Sequence, residues 1–308
     1  MEKYPFGMLI SVTFGCGKFN MNNMNLIDGH ILFKLAEFKG KLLNFFESTI
    51  NELIFEDCLF TGHVDMSLKK CKTLIVENCI IEKSFDLISS SRRIVNIECL
   101  TVLNTKNLGR IDIDWTTNNV KKMIYAQGKT TNYQDKANQF RMLKENFRNI
   151  GHYKNEDFAY VEFKRCESMS ELRGEDLLHQ KNKQFIQIRR CIAFPFRWFI
   201  LDFVGNYATN PLRIIGFKLI TIFIFAGLYT MPFVKLNGDK AFFQSTNNPL
   251  LNKFAKALYH SIETILTIGY GDVNPDNICT TLLSGFEGFL GLFLMSYFTV
   301  AFVRKILR

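Results

Sequence analysis

Two long apolar runs constrain this chain more than any other feature. Residues 214–234, IIGFKLITIFIFAGLYTMPFV, contain one charge, Lys218, close enough to one end for its stem to reach polar surroundings. Residues 278–303, ICTTLLSGFEGFLGLFLMSYFTVAFV, contain one acidic residue, Glu287. About 20 apolar residues cross a bilayer as a helix, and no soluble core accounts for two such runs in one short domain. Both predict spanning helices, an outer one over 214–234 and an inner one over 278–303. An unpaired charge inside such a helix costs about 2.5–3.5 kcal/mol on insertion scales, so Glu287 is expected to bond to a neighbouring helix.

The charge distribution agrees with a membrane. The net charge is +9, and Lys181, Lys183, Arg189, Arg190, Arg197, Arg213 and Lys218 crowd just before or at the start of the first run. Basic flanks mark the cytoplasmic side, so this excess points to lipid and not to nucleic acid. The closing RKILR then puts both termini in the cytoplasm. The first twenty residues hold no apolar core of signal-peptide length. Eight cysteines show no C-x-x-C pair, which argues against zinc and for a reduced compartment. No nucleophile–base pair, P-loop or metal cluster suggests an enzyme.

Between the two runs, residues 254–266 read as a helix of about 20 Å, too short to cross. Thr267-Ile268-Gly269-Tyr270-Gly271-Asp272 follows. Non-helical backbone at membrane depth is tolerated where it lines a water- or ion-filled path. Carbonyls aimed at one axis need alternating left- and right-handed residues, which Gly269 and Gly271 adopt at little cost.

These residues resemble the potassium-channel selectivity filter, Thr-x-Gly-Tyr-Gly-Asp, at every defined position. The resemblance is to a prokaryotic two-transmembrane potassium channel. It implies K+ sites at the carbonyls of Thr267, Ile268, Gly269 and Tyr270 with the Thr267 hydroxyl, Gly271 completing the filter, and Asp272 at the outer mouth. One chain supplies one filter strand, so the expected assembly is a homotetramer in the plasma (inner) membrane, with K+ as permeant ion and no cofactor. By the same resemblance Glu263 supports the filter by pairing with Asp272, and Gly291, 20 residues after Gly271, is the gating hinge. Gly285, Gly288 and Gly291 also form a small-residue stripe, which close helix packing explains equally well. Leu266 and His260 depart from the family's common threonine and aromatic, which bears on the stiffness of the filter.

The first half is repetitive. LIFEDCLFTG from Leu53, LIVENCIIEK from Leu74 and VNIECLTVLN from Val95 align at a period of 21 residues, placing Glu56, Glu77 and Glu98 in one row. Cys58, Cys79 and Cys99 recur almost evenly. Apolar residues return every five: Phe45, Ile50, Phe55, Phe60, then Met66, Cys71, Val76, Ile81. A five-residue step cannot be a helical stripe; it suits a coil turning a corner each step, stacked so that a continuous core is buried. The pattern is similar to the pentapeptide-repeat family, which implies a right-handed β-helix over 1–115. Acidic and basic residues are balanced, so DNA mimicry is set aside.

From about Asn132 the period becomes helical. Phe140, Leu143, Phe147 and Ile150 share a face, Gly151 is a helix stop, and a second helix carries Phe158, Val161 and Cys166. This hairpin, 132–180, resembles the tetratricopeptide type and is read as a connector. Residues 185–205 read as an interfacial amphipathic helix kinked at Pro195. The pore domain is 211–308.

The chain thus predicts a multi-domain protein: a β-solenoid, a helical hairpin and a two-span pore with a re-entrant helix. The function expected is K+-selective conduction regulated by the N-terminal domain, whose ligand or partner the residues do not name. No ligand-binding ring is expected beyond the inner helix. A weakly selective cation channel, or a membrane scaffold with a silent pore, are the alternatives.

Overall fold

The computed structural model describes residues 8–10, 13–14, 18–21, 23–40, 42–88, 96–128, 131–175, 183–238 and 248–307. The chain divides into two compact units, Met1–Phe194 and Pro195–Arg308.

The first unit begins as a parallel β-solenoid of three five-stranded sheets. One sheet stacks Met8–Ile10, Asn25–Lys34, Thr49–Glu56, Lys70–Glu77 and Ile97–Leu103, each on the same segment of the previous coil. The other two sheets are built from two- and three-residue strands. The five-residue rows face inward: Phe45, Ile50, Phe55, Phe60, Met66, Cys71, Val76 and Ile81 are all buried. The steps at Ile50 and Phe55 lie on one eight-residue strand, so three sheets carry four steps. Aromatic residues stack coil on coil, Phe33 on Phe55 at 5.1 Å and Phe38 on Phe60 at 5.2 Å. Burial holds the Cys71 thiol up at about 12, so it behaves as a small hydrophobe.

The corners explain the sequence between rows. Leu35, Asp57, Asn78 and Asn104 all adopt left-handed φ, between 49° and 55°, and Asp and Asn tolerate this best among side-chain-bearing residues. After Asp57, Asn78 and Asn104 the side chain of the next residue then donates to the coil beneath. Cys58 Sγ reaches Phe33 O at 3.4 Å, Cys79 Sγ reaches Phe55 O at 3.5 Å, and Thr105 Oγ1 reaches Val76 O at 3.2 Å. At another corner Asn44, Asp65 and Asp86 stand in register, each accepting from the N–H two residues on.

Among the three aligned stretches the 21-residue period holds for the first step and not for the second. Ile50 pairs with Cys71, but Cys71 pairs with Ile97, a step of 26 residues. Leu74 therefore lies beside Leu100 and not Val95, and Glu77 beside Leu103 and not Glu98. Register follows burial: Ile97 and Leu100 are inward, while Glu98 is exposed. The extra residues fall between Asp86 and Ile97; 89–95, which include Val95, lie outside the described residues. Cys99 leaves the cysteine column for the same reason. It faces Thr73 across the strands, and Thr105 takes the place of the third cysteine.

Three helices follow: α1 (Val120–Tyr125), α2 (Tyr133–Asn149) and α3 (Tyr153–Arg173). They do more than connect. A solenoid ends in a strand with unpaired peptide groups, and buried carboxamides from α2 and from the bend after α1 replace the next coil. Asn146 accepts from Ile111 N and donates to Ile111 O, both at 2.8 Å. Gln139 accepts from Val102 N at 3.0 Å and Gln127 donates to Leu100 O at 2.5 Å. Glu162 on α3 ties α1 down by accepting from Lys121 at 2.9 Å and Tyr125 at 3.1 Å.

Asn146→Leu should orphan both Ile111 groups and lower stability by about 2 kcal/mol or more, read by thermal unfolding. A second expectation concerns charge. Burial, then the neighbouring Asp112 and Asp65, raises the Asp86 carboxyl above its ordinary range. A raised folded-state value means that stability is gained as pH falls and lost as pH rises through it. Asp86→Asn, which keeps the acceptor for Ile88 N, should stabilise the solenoid by about 0.5 kcal/mol at neutral pH and flatten that pH dependence.

Candidate functional site

The second unit opens with the end of α4 (Lys183–Arg197), which carries Pro195 and passes into a π-helical turn, Trp198–Val204. Ile188, Ile192, Phe196 and Phe199 are exposed along this stretch. Asn206, Tyr207 and Ala208 follow with left-handed φ. Three helices come next: α5 (Pro211–Tyr229), α6 (Pro249–Ile265) and α7 (Ile278–Ile306). Each starts on an asparagine whose side chain accepts a first-turn N–H: Asn210, Asn248 and Asn277. Asn-Pro at the first two is a legible start signal; hydropathy alone places those starts three and five residues too late. At 1.5 Å per residue α6 is about 25 Å long, still short of a bilayer core, while α5 and α7 are long and apolar enough to cross.

The segment after α6 is pinned at its root. Thr267 N donates to Thr264 O at 3.1 Å and Ile268 N donates to Glu263 O at 2.9 Å. From there left-handed residues alternate: Thr267 at φ 58°, Gly269 at 61° and Gly271 at 78°, with Ile268 and Tyr270 between them outside that region. The two glycines make this inexpensive. Thr267, a β-branched residue in the same region, is strained by about 1–3 kcal/mol. Residues 266–271 are exposed in the single chain, Tyr270 to 72%.

Asp272 accepts the Tyr259 hydroxyl at 3.0 and 3.2 Å on its two oxygens. Glu263 is buried on α6 with its Oε1 lacking a hydrogen-bond partner. Tyr259 is therefore a support that the resemblance did not single out. Asn274 Nδ2 donates to Gly271 O at 2.8 Å, closing the turn beyond the glycines. Glu287 on α7 is fully buried and bonds to Ser261 on α6, as expected of a carboxyl group in an apolar helix, and also to Tyr229 on α5.

Gly291 sits where α7 touches the last turn of α6. A Cβ there would lie 2.4 Å from the Ile265 carbonyl oxygen and 2.9 Å from its Cα. Helix α7 runs through this position without interruption. Of the glycine stripe, Gly285 has open space and Gly288 only ordinary contact. Lower on α7, Tyr297 lies over Gly205, donates to Leu201 O at 3.0 Å and accepts from Ala208 N at 3.2 Å.

Two helices long and apolar enough to cross a membrane are thus joined through a short helix and a segment of alternating backbone hand. Residues 217–308 match the family model described as Ion channel, so this unit is an ion-channel domain, carried in one chain with a β-solenoid. No curated protein and no solved structure matches the chain.

Gly291→Ala should force α7 away from α6 and lower the thermal stability of the detergent-solubilised protein by about 1–3 kcal/mol. Gly285→Ala, facing open space, should leave it unchanged.

Proposed function

We propose that the chain is one subunit of a homotetrameric, K+-selective channel conducting passively through residues 267–271. The observation that carries this reading is the alternation of left-handed φ at Thr267, Gly269 and Gly271. Alternating hands turn successive peptide units the same way, so the carbonyls of Thr267, Ile268, Gly269 and Tyr270 can form an oxygen ladder that replaces the hydration shell of K+. The strain at Thr267 fits a position held for function. Exposure of this segment supports the tetramer: irregular backbone at membrane depth must be covered by protein or line a filled path, and three further copies around one axis supply both.

Asp272, held by Tyr259, marks the outer mouth, and Glu263 backs the filter from α6. Gly291 fixes the separation of inner and pore helices; bending there opens against the Ile265 contact. The setting proposed is a plasma membrane with both termini cytoplasmic, control arriving from the solenoid and hairpin.

The test is ion flux from liposomes containing the purified protein. Ba2+-sensitive K+ flux without Na+ flux is expected, and Gly269→Ala should abolish it. Equal K+ and Na+ flux would replace this reading with a weakly selective cation channel. Absence of flux both from the whole chain and from one lacking residues 1–180 would favour a scaffold with a silent pore.

A further inference from the structure

Behind the filter, five side chains from three helices form one continuous hydrogen-bonded chain. His260 Nδ1 lies 3.2 Å from Val273 O, the carbonyl just beyond Asp272. His260 Nε2 lies 2.9 Å from Ser284 Oγ, and Ser284 Oγ lies 3.1 Å from Tyr229 Oη. Tyr229 Oη lies 2.7 Å from one oxygen of Glu287, whose other oxygen meets Ser261 Oγ. Ser261 Oγ is also 3.0 Å from Ile222 O on α5. The Tyr229 ring stands edge-on to His260, centroids 5.0 Å apart. His260, Ser261 and Glu287 are each at most 5% exposed.

The direction of this chain is fixed by its end. A carbonyl only accepts, so His260 Nδ1 must carry the proton. In a neutral ring Nε2 then accepts, and Ser284 must donate to it. Ser284 has one proton, so its contact with Tyr229 must be supplied by the tyrosine. Tyr229 also has one proton, so its contact with Glu287 must be supplied by the acid. Every link from Val273 to Ser261 is satisfied, with no charged group buried in the membrane, when Glu287 is a carboxylic acid donating to Tyr229 and accepting from Ser261; the Ser261–Ile222 contact is then left without a hydrogen, and the Ile222 carbonyl is served by the helical bond within α5. An ionised Glu287 beside a neutral ring leaves the Ser284–Tyr229 contact without a hydrogen, and buried unsatisfied groups are costly. The remaining titratable groups nearby are Glu263 and Tyr259 on α6 and Asp272 beyond the filter, the last two bonded to each other.

We propose that Glu287, held as a neutral acid, and Tyr229 are positioning residues for conduction. Through Ser284 and His260 they hold the backbone that follows the filter against the inner helix. The proposal rests on the channel reading, and it is carried by the donor order alone. Neither residue touches the ion.

The test pairs infrared spectra with flux, using the whole chain in liposomes at neutral pH. The spectrum of the wild type minus that of Glu287→Gln should contain the C=O stretch of a protonated carboxylic acid, and Tyr229→Phe should move that band to higher frequency. A difference spectrum with carboxylate bands only, or no shift on Tyr229→Phe, overturns the donor order. A glutamine amide reproduces the donor and acceptor of the acid, so Glu287→Gln should keep the K+/Na+ flux ratio. Tyr229→Phe, with its ring packing intact, should lower that ratio about tenfold, the worth of one hydrogen bond. An unchanged ratio in Tyr229→Phe overturns the positioning role. A wild type that passes no K+ sinks the channel reading instead, and the infrared result still decides the protonation of Glu287.

Discussion

A peptide group shielded from water must find a partner within the protein, and each half of this chain is shaped by where that requirement becomes difficult. In the solenoid the difficulty lies at the end of the stack, because the last coil has no successor. The side-chain amides of Asn146, Gln139 and Gln127 stand in for the strand that would come next. In the second unit the difficulty lies after Ile265, where the helix ends and the chain continues as irregular backbone. Two bonds back to Thr264 and Glu263 start the descent. Beyond them the carbonyls of 267–270 need a partner that is neither helix nor sheet, and in the proposed function that partner is the ion.

Much of this was legible from residue spacing. The five-residue rows mark the solenoid core because every coil repeats the same inward positions. Two apolar runs mark the spans because a bilayer leaves few alternatives. The Gly-Tyr-Gly stretch marks the alternating backbone because glycine alone accepts left-handed backbone freely. What remained hidden depended on register or on distant partners. Nothing in a local window says that the coil after Lys70–Glu77 takes 26 residues, so Glu98 and Cys99 fell out of their rows. Gln139 and Asn146 look like polar interruptions of a helix face until the strand end they cover is placed beside them. A carboxylate in an apolar helix announces that Glu287 has partners, but sequence distance gives no means of choosing Tyr229, 58 residues away. The pairing of Asp272 with Tyr259 was similarly out of reach.

The same residue types serve opposite ends in the two units. In the solenoid, left-handed backbone at Leu35, Asp57, Asn78 and Asn104 turns corners, and the freed carbonyls are absorbed by thiols and a hydroxyl from the coil above. At Thr267, Gly269 and Gly271 left-handed backbone recurs at every second residue and turns nothing. Repetition at a fixed corner builds a wall, and alternation along one strand, in the proposed function, lines up oxygen atoms.

Tyr297 has a mechanical consequence. Its hydroxyl is shared between Leu201 and Ala208, and its ring occupies the space above Gly205. The segment leading into the outer helix is thereby latched to the lower part of the inner helix, bypassing the outer helix itself. A sideways tug on residues 198–208 must drag the inner helix with it or unfasten two hydrogen bonds and lift an aromatic ring off a glycine. The latch couples the segment before the outer helix directly to α7, by a route that does not pass through α5.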